Sequence, residues 1–141
     1  MGEMGIANTS PSSIWMHLFG NIPLDECIGV GAGLNSEGLQ HKREILHQAV
    51  DLFLSHGDTD TEYILRYFAG YEMAGAIGAM LRAAEKGMTV MVDGFIMTAC
   101  MLAASRLYPE VLHYAVFGPS VRGPIFTPHL PSSYLVKSVQ V

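Results

Sequence analysis

The chain has 141 residues, half of them hydrophobic and only 15% charged, with a formal charge of −5 when histidine is neutral. That length is enough for one domain with its own core, and the acidic balance, with no stripe of Lys and Arg, argues against nucleic acid as a partner. So lean a charge content predicts that some apolar surface is covered by a second subunit or by further sequence.

Cys27 and Cys100 lie far apart, outside any CxxC, and predict a reducing compartment rather than a disulfide framework. The six histidines (His17, His41, His47, His56, His113, His129) never pair at HxxxH spacing, so they read as ordinary side chains ahead of metal ligands. The first residues carry no basic run of the kind that opens a signal peptide. The most apolar stretch, residues 95–105, is too short to cross a bilayer and reads as a buried helix. The expectation is a cytoplasmic protein without a membrane span.

In chain order, residues 1–8 have loop character, with Gly2 and Gly5 opening backbone that other residues resist. Thr9-Ser10-Pro11 then predicts a helix start, hydroxyl caps followed by proline, on a helix carrying Ile14, Trp15, Leu18 and Phe19 and stopping at Gly20. A short helix over residues 23–28 leads to the flexible loop Gly29-Val30-Gly31-Ala32-Gly33. Asn35 or Ser36 caps a helix to about His56, with Leu39, Ile45, Leu46, Ala49, Val50, Phe53 and Leu54 at helical spacing. Asp58 or Thr59 caps another over residues 60–69, with Ile64, Leu65 and Phe68 on one side. A third, residues 71–86, is rich in Ala and Gly (Ala74, Gly75, Ala76, Gly78, Ala79), which predicts tight packing against a neighbour rather than a binding site.

Gly87 ends that helix, and residues 88–92 read as a short buried parallel strand. Asp93-Gly94 follows at its C-terminal end, then a helix over residues 95–107, a break at Pro109 and a second strand over residues 111–117. Helix, strand, helix, strand in this order predicts a right-handed α/β crossover. The fold class is α/β: a partial three-layer domain with a short parallel sheet flanked by helices. Beyond Phe117 prolines crowd the chain, so residues 118–141 read as an irregular tail, with residues 134–141 an edge strand or no element at all.

Four places could carry chemistry. The loop at residues 29–33 lacks the GxGxxG fingerprint, because position 34 is Leu and no strand precedes it, so it reads as a connector ahead of a phosphate cradle. Lys42, in the first turns of a helix, reads by spacing alone as solvated, with a point charge for phosphate as the functional reading. Asp93, just past a buried parallel strand, stands where open α/β sheets place ligands and equally where a helix wants an N-cap. Glu3, in a glycine loop before a helix N-terminus, could hold a ribose hydroxyl or a cationic ring, and Asn8 and Thr9 could donate to an anion there; an ordinary capped turn fits as well.

Gly2-Glu3-Met4-Gly5-Ile6-Ala7-Asn8-Thr9 resembles the signature loop, usually GEMGIGNTT, of the nicotinate-nucleotide–dimethylbenzimidazole phosphoribosyltransferase family, with Ala7 in place of a glycine and Ser10 in place of a threonine. Residues 31–42 resemble that family's glycine-rich turn and lysine-bearing helix. Residues 69–80 resemble its Gly-x-Glu-x-Ala-x-x-x-Gly-Ala-Met helix, and Val92-Asp93-Gly94-Phe95-Ile96 its strand-to-helix junction. The resemblance runs through residues 1–117, the central part of the family's large domain, and ends there; residues 118–141 are expected out of family register.

The resemblance implies transfer of phosphoribose from nicotinate mononucleotide to 5,6-dimethylbenzimidazole, giving α-ribazole 5′-phosphate and nicotinate for the lower ligand of cobalamin. It implies a pentosyltransferase without cofactor or metal, since a cationic pyridinium leaves as a neutral ring. Glu3 and Gly5 would line the nicotinate and ribose site, Lys42 would bind phosphate, Asn8 would share that pocket, and Asp93 and Gly94 would face the cleft from the sheet edge. The family's general base, a glutamate near its C-terminus, and its N-terminal benzimidazole-binding portion have no counterpart in these residues. The expectation is therefore a truncated or frame-shifted product, either weakly active or a non-catalytic remnant that binds nucleotide or phosphate or only associates with subunits. The family also implies a homodimer.

Overall fold

The computed structural model describes residues 4–31 and 33–118. Glu3, and the edge strand expected within the tail, lie outside the described residues. Six α-helices and two short strands are described: α1 (Thr9–Gly20), α2 (Leu24–Cys27), α3 (Ser36–Ser55), α4 (Thr61–Phe68), α5 (Tyr71–Glu85), β1 (Val90–Val92), α6 (Phe95–Leu107) and β2 (Ala115–Phe117), with a 3-10 turn over Pro109–Tyr114 before β2.

The helix starts follow local chemistry. The Asn35 side chain accepts from Gly38 N–H at 2.8 Å, and the Asp60 side chain accepts from Tyr63 N–H at 2.7 Å, each satisfying a donor that the first turn leaves open. Asp60 takes the cap expected of Asp58 or Thr59; Asp58 instead accepts from Asp60 N–H and shapes the turn before it.

β1 and β2 pair in parallel, Val90 with Ala115 and Val92 with Phe117, and α6 makes the crossover between them. The fold is thus helix-rich α/β with a short parallel sheet flanked by helices, as expected. The second strand is shorter than the sequence suggests. Pro109 starts a 3-10 turn, and that turn carries Val111 into the core at 2% exposure before extended chain begins at Ala115. The first strand is less enclosed than expected: Val92 is buried, whereas Met91 stands 72% exposed.

α6 is the central helix. Ala99, Cys100, Met101, Ala103 and Ala104 are fully buried, and α1 packs along it with Ser12, Ser13, Trp15 and Met16 also fully buried. The small residues of both helices permit this approach, and Arg106 of α6 donates to the Phe19 carbonyl at the end of α1. A second apolar cluster of Ile14, Leu24, Ile28, Leu46 and Val50 joins α1, α2 and α3. Phe53 stacks on Tyr63 at 5.4 Å and tilts against Phe68 at 5.1 Å, which docks α4 on the end of α3. Full burial of a side chain such as Phe53 stabilises the fold by roughly 1.5–3 kcal/mol.

One packing expectation is overturned and a second is met only in part. Ile45 and Leu54 of α3 are 47% and 45% exposed, because the buried stripe of that helix is the narrower set Leu46, Val50 and Phe53. The small residues of α5 divide: Ala76 is buried in the core where α5 packs on α6, whereas Gly75 and Gly78 are exposed, and a methyl added at either would meet nothing within 4 Å. Close helix approach is made by α6 with both α1 and α5.

Candidate functional site

The N-terminal ends of α1 and α3 are brought together by the two glycine-containing loops that precede them. The turn before α1 needs left-handed backbone at Gly5 (φ +88°) and again at Ala7 (φ +66°), where the side chain gives no help. The loop before α3 turns through Gly31 (φ +56°) and Gly33 (φ +102°). Gly31 has no room for more: a Cβ there would stand 3.1 Å from Thr9 Oγ1 and 3.8 Å from Lys42 Nζ.

Lys42 ties these pieces. Its ammonium donates to Thr9 Oγ1 at 3.0 Å and to the Gly29 carbonyl at 3.0 Å. It is therefore not the solvated helical lysine that spacing alone suggests. Partial burial holds its pKa below the ordinary lysine value of 10.5. The two bonds use two of three N–H donors, and accepting from Lys42 leaves the Thr9 hydroxyl proton free to be donated elsewhere. Behind them the first turn of α1 is pinned from within: Ser12 Oγ donates to the Asn8 carbonyl at 2.7 Å, and Ser13 Oγ lies 2.7 Å from the Cys27 carbonyl.

Around Lys42 is an open cavity of about 450 Å³, lined by Gly5, Ala7, Thr9 and Ser10 on one side and by Val30, Gly31, Gly33, Leu34, Gly38 and His41 on the other. A recess of about 370 Å³ shares Thr9, Val30 and Gly31 with it and extends to Cys27, Ile28 and Phe95. The combination is suited to an anion: a lysine, a hydroxyl and two helix N-termini, whose free N–H groups and dipoles favour negative charge. Two larger hollows, of about 610 and 490 Å³, lie along α5. They are lined by Leu65, Ile77, Leu81 and Val111 together with Arg66, Arg82, Tyr71, Tyr108 and Tyr114. Both arginines are ion-paired, to Glu62 and Glu85, whereas Lys42 is held by a hydroxyl and a carbonyl, so chemistry favours the smaller cavity for an anion.

The expected site residues do not all meet there. Gly5 and Lys42 do. Asn8 turns away, its Nδ2 donating to Glu72 Oε1 at 2.9 Å. Asp93 and Gly94 sit at the C-terminal end of β1, where Gly118 N–H donates to the Val92 carbonyl at 2.8 Å. Gly94 (φ +78°), not Asp93, is the N-cap of α6, and Asp93 is exposed beside Gly118. Neither lines the Lys42 cavity, but the next residues approach it: Phe95 lines the recess, and a Cβ on Gly5 would lie 3.7 Å from Ile96 Cδ1.

Sequence reasoning gave His41 and Glu72 no role, although both lie inside the motifs it quoted. Its preference for a plain connector at residues 29–33 missed Gly31, whose signal was the lysine eleven residues on. Among the described residues no three His, Cys, Asp or Glu side chains gather as a metal site, and no helix is long and apolar enough to cross a membrane.

Comparison with known proteins is consistent along the chain. A family model described as phosphoribosyltransferase matches residues 1–124. The nicotinate-nucleotide–dimethylbenzimidazole phosphoribosyltransferase of Phocaeicola vulgatus is 60% identical over 117 residues, which are 83% of this chain and 33% of that protein. The enzyme of the same name from Dechloromonas aromatica is 44% identical over 117 residues, 82% of this chain and 34% of the other. The crystal structure of CobT from Thermus thermophilus superposes with a TM-score of 0.74 at 27% identity, covering 82% of this chain and 34% of that one. The chain spans about a third of the length of the relatives it matches.

Proposed function

Since this chain belongs to the phosphoribosyltransferase family, we propose that it carries the nucleotide-holding edge of an enzyme moving phosphoribose from nicotinate mononucleotide to 5,6-dimethylbenzimidazole. The observation that carries the reading is Lys42, held between Thr9 Oγ1 and the Gly29 carbonyl at the junction of two helix N-termini.

In this reading the 5′-phosphate sits against Lys42, Thr9 and the first turns of α1 and α3. Gly5 and Glu3 line the ribose and nicotinate. Asp93 and Gly94 face the cleft from the sheet edge, and Asn8 stands behind the loop. The bond from the anomeric carbon to the pyridinium nitrogen breaks with its electron pair going to the ring, which leaves as neutral nicotinate. A benzimidazole nitrogen supplies the new bond, and the proton on its other nitrogen is then lost, giving α-ribazole 5′-phosphate. The protein's task is to hold the phosphate and align the two rings in line, where positioning supplies much of the rate. No described residue is assigned the base.

A homodimer fits the apolar side chains left at the surface, Tyr71 at 98% and Met91 at 72% exposure among them. The acidic charge argues against nucleic acid, and two buried free thiols suit the cytoplasm. The family unit takes in residues 1–117 and, by the extent of the family match, reaches residue 124.

The test is calorimetric titration of the purified chain with nicotinate mononucleotide, wild type against Lys42→Ala. Losing a charge-assisted bond of ~1.5–3 kcal/mol should weaken binding roughly 10- to 100-fold. Equal affinity in the two proteins, or no binding by the wild type, would refute the reading.

A further inference from the structure

We propose that Glu72 is a positioning residue, which fastens the loop of residues 5–8 to helix α5 through Asn8 and so fixes one wall of the Lys42 cavity. The inference rests on the nucleotide-holding reading of that cavity.

Asn8 occupies the N-cap position of α1, where Asn is favoured because its side chain accepts from the first turn. Here it makes no such bond, and its backbone is already helical at φ −82° and ψ −6°. Its side chain is directed instead to a partner 64 residues away, donating from Nδ2 to Glu72 Oε1 at 2.9 Å. Its carbonyl, meanwhile, accepts from Ser12 N–H and Ser12 Oγ. One residue is thus held by α1 through its main chain and by α5 through its side chain.

The carboxylate has a seat made for it. Glu72 folds back over the start of its own helix and fills the space where a side chain at position 70 would be: a Cβ on Gly70 would lie 2.0 Å from Oε1, 2.7 Å from Cδ and 2.9 Å from Oε2. Only glycine at 70 leaves the carboxylate free to reach Asn8 from there. The first turn of α5 also favours a negative charge at that place. The loop so fastened is one that needs holding, because Ala7, next to Asn8, is kept in left-handed backbone at φ +66°, and both Gly5 and Ala7 line the cavity.

Glu72 does not line the cavity, so its effect on a ligand passes through the loop that Asn8 belongs to. A carboxylate serving only the dipole of α5 would lose its effect on conversion to the amide. A carboxylate serving as an acceptor for Asn8 keeps it, because glutamine still offers a carbonyl oxygen.

The experiment is proton–nitrogen correlation NMR on the labelled full chain, for wild type, Glu72→Ala, Glu72→Gln and Gly70→Ala, each then titrated with nicotinate mononucleotide beside Lys42→Ala. Glu72→Ala and Gly70→Ala should move the Asn8 side-chain amide pair and the backbone amides of residues 5–9 while leaving those of α6 in place. Their affinity for nicotinate mononucleotide should fall about 3- to 10-fold, the loss of roughly one net hydrogen bond. Glu72→Gln should stay near the wild type in both. Unmoved loop resonances in Glu72→Ala, a moved loop with wild-type affinity, or a glutamine variant as impaired as the alanine one overturns the proposal. If the wild type fails to bind, or Lys42→Ala binds as well as wild type, the ligand reading fails, and the loop resonances alone then decide whether Glu72 holds the loop.

Discussion

Lys42 and Thr9, thirty-three residues apart, are joined by a 3.0 Å hydrogen bond from the ammonium to the threonine hydroxyl. The bond ties the second turn of α3 to the first residue of α1. It places a positive charge at the meeting point of two helix N-termini, an arrangement that costs free energy until an anion arrives to offset it.

Gly31 is the residue that lets the two approach. Replacing it by Ala puts a methyl 3.1 Å from Thr9 Oγ1, in backbone of φ +56°. The expected result is about a 10-fold loss of affinity for nicotinate mononucleotide or inorganic phosphate, with a drop in unfolding free energy of only ~1–2 kcal/mol from the left-handed alanine. Titration and urea denaturation measure the two; wild-type affinity in a folded Gly31→Ala protein would show that the bond is dispensable.

The same lysine makes the site pH-dependent. Burial lowers its pKa in the folded protein, so anion affinity should decline with rising pH before the ordinary lysine range is reached. Stability moves the other way. The unfolded lysine still holds its proton in that window, so unfolding binds protons and this contribution to stability rises with pH. Cys27 opposes it: desolvation, with the Glu26 charge second, raises the thiol from 9.0 to about 11, so its contribution is present below pH 9 and is lost as pH rises through about 11. Subtracting the stability profile of Lys42→Met from that of wild type isolates the lysine. A difference that falls with pH across the alkaline range would contradict the assignment.

Ala7 stands in left-handed backbone at φ +66°, which glycine adopts more readily. Ala7→Gly should relieve ~1–2 kcal/mol of strain and return part of it as unfolded-state entropy, a net gain of about 0.5–1 kcal/mol. Chemical denaturation would register it as a higher midpoint at unchanged slope; a lower midpoint would mean that the methyl makes contacts of its own.

Gly75 and Gly78 lie on an open helix face. In a helix interior each glycine costs about 0.8–1 kcal/mol relative to alanine, so Gly75→Ala and Gly78→Ala should each stabilise the isolated chain by that amount. Sedimentation beside the denaturation curves adds the second readout. Destabilisation, or loss of a dimer, would reveal a partner surface packed against that face.

Much of the outline was legible from residues alone. Helix α6 runs over Phe95–Leu107 as its apolar run and the break at Pro109 foretold, and Asn35 caps α3 from a position chosen by its side-chain chemistry. The four motifs pointed to the family that the comparisons then showed. Caps, breakers and periodicity act within a turn or two, so a linear reading reaches them. Motif likeness named Gly5 and Lys42, and the fold brings both to one cavity.

Other features depend on which surfaces meet. Residues 111–114 have strand-like composition, yet Val111 is drawn into the core and the chain coils into a 3-10 turn to deliver it. The small residues of α5 advertise close packing, but only part of that stripe is used: Ala76 is buried where α5 meets α6, while Gly75 and Gly78 stay exposed. Asn8 has the chemistry of a cap and is used as a tether to Glu72. By itself the sequence determined the elements, the family and the loop that marks it. Only the tertiary structure decided that this loop, the glycine turn and Lys42 close on one cavity, because hydrogen bonds spanning 33 and 64 residues exist only once α1, α3 and α5 have packed.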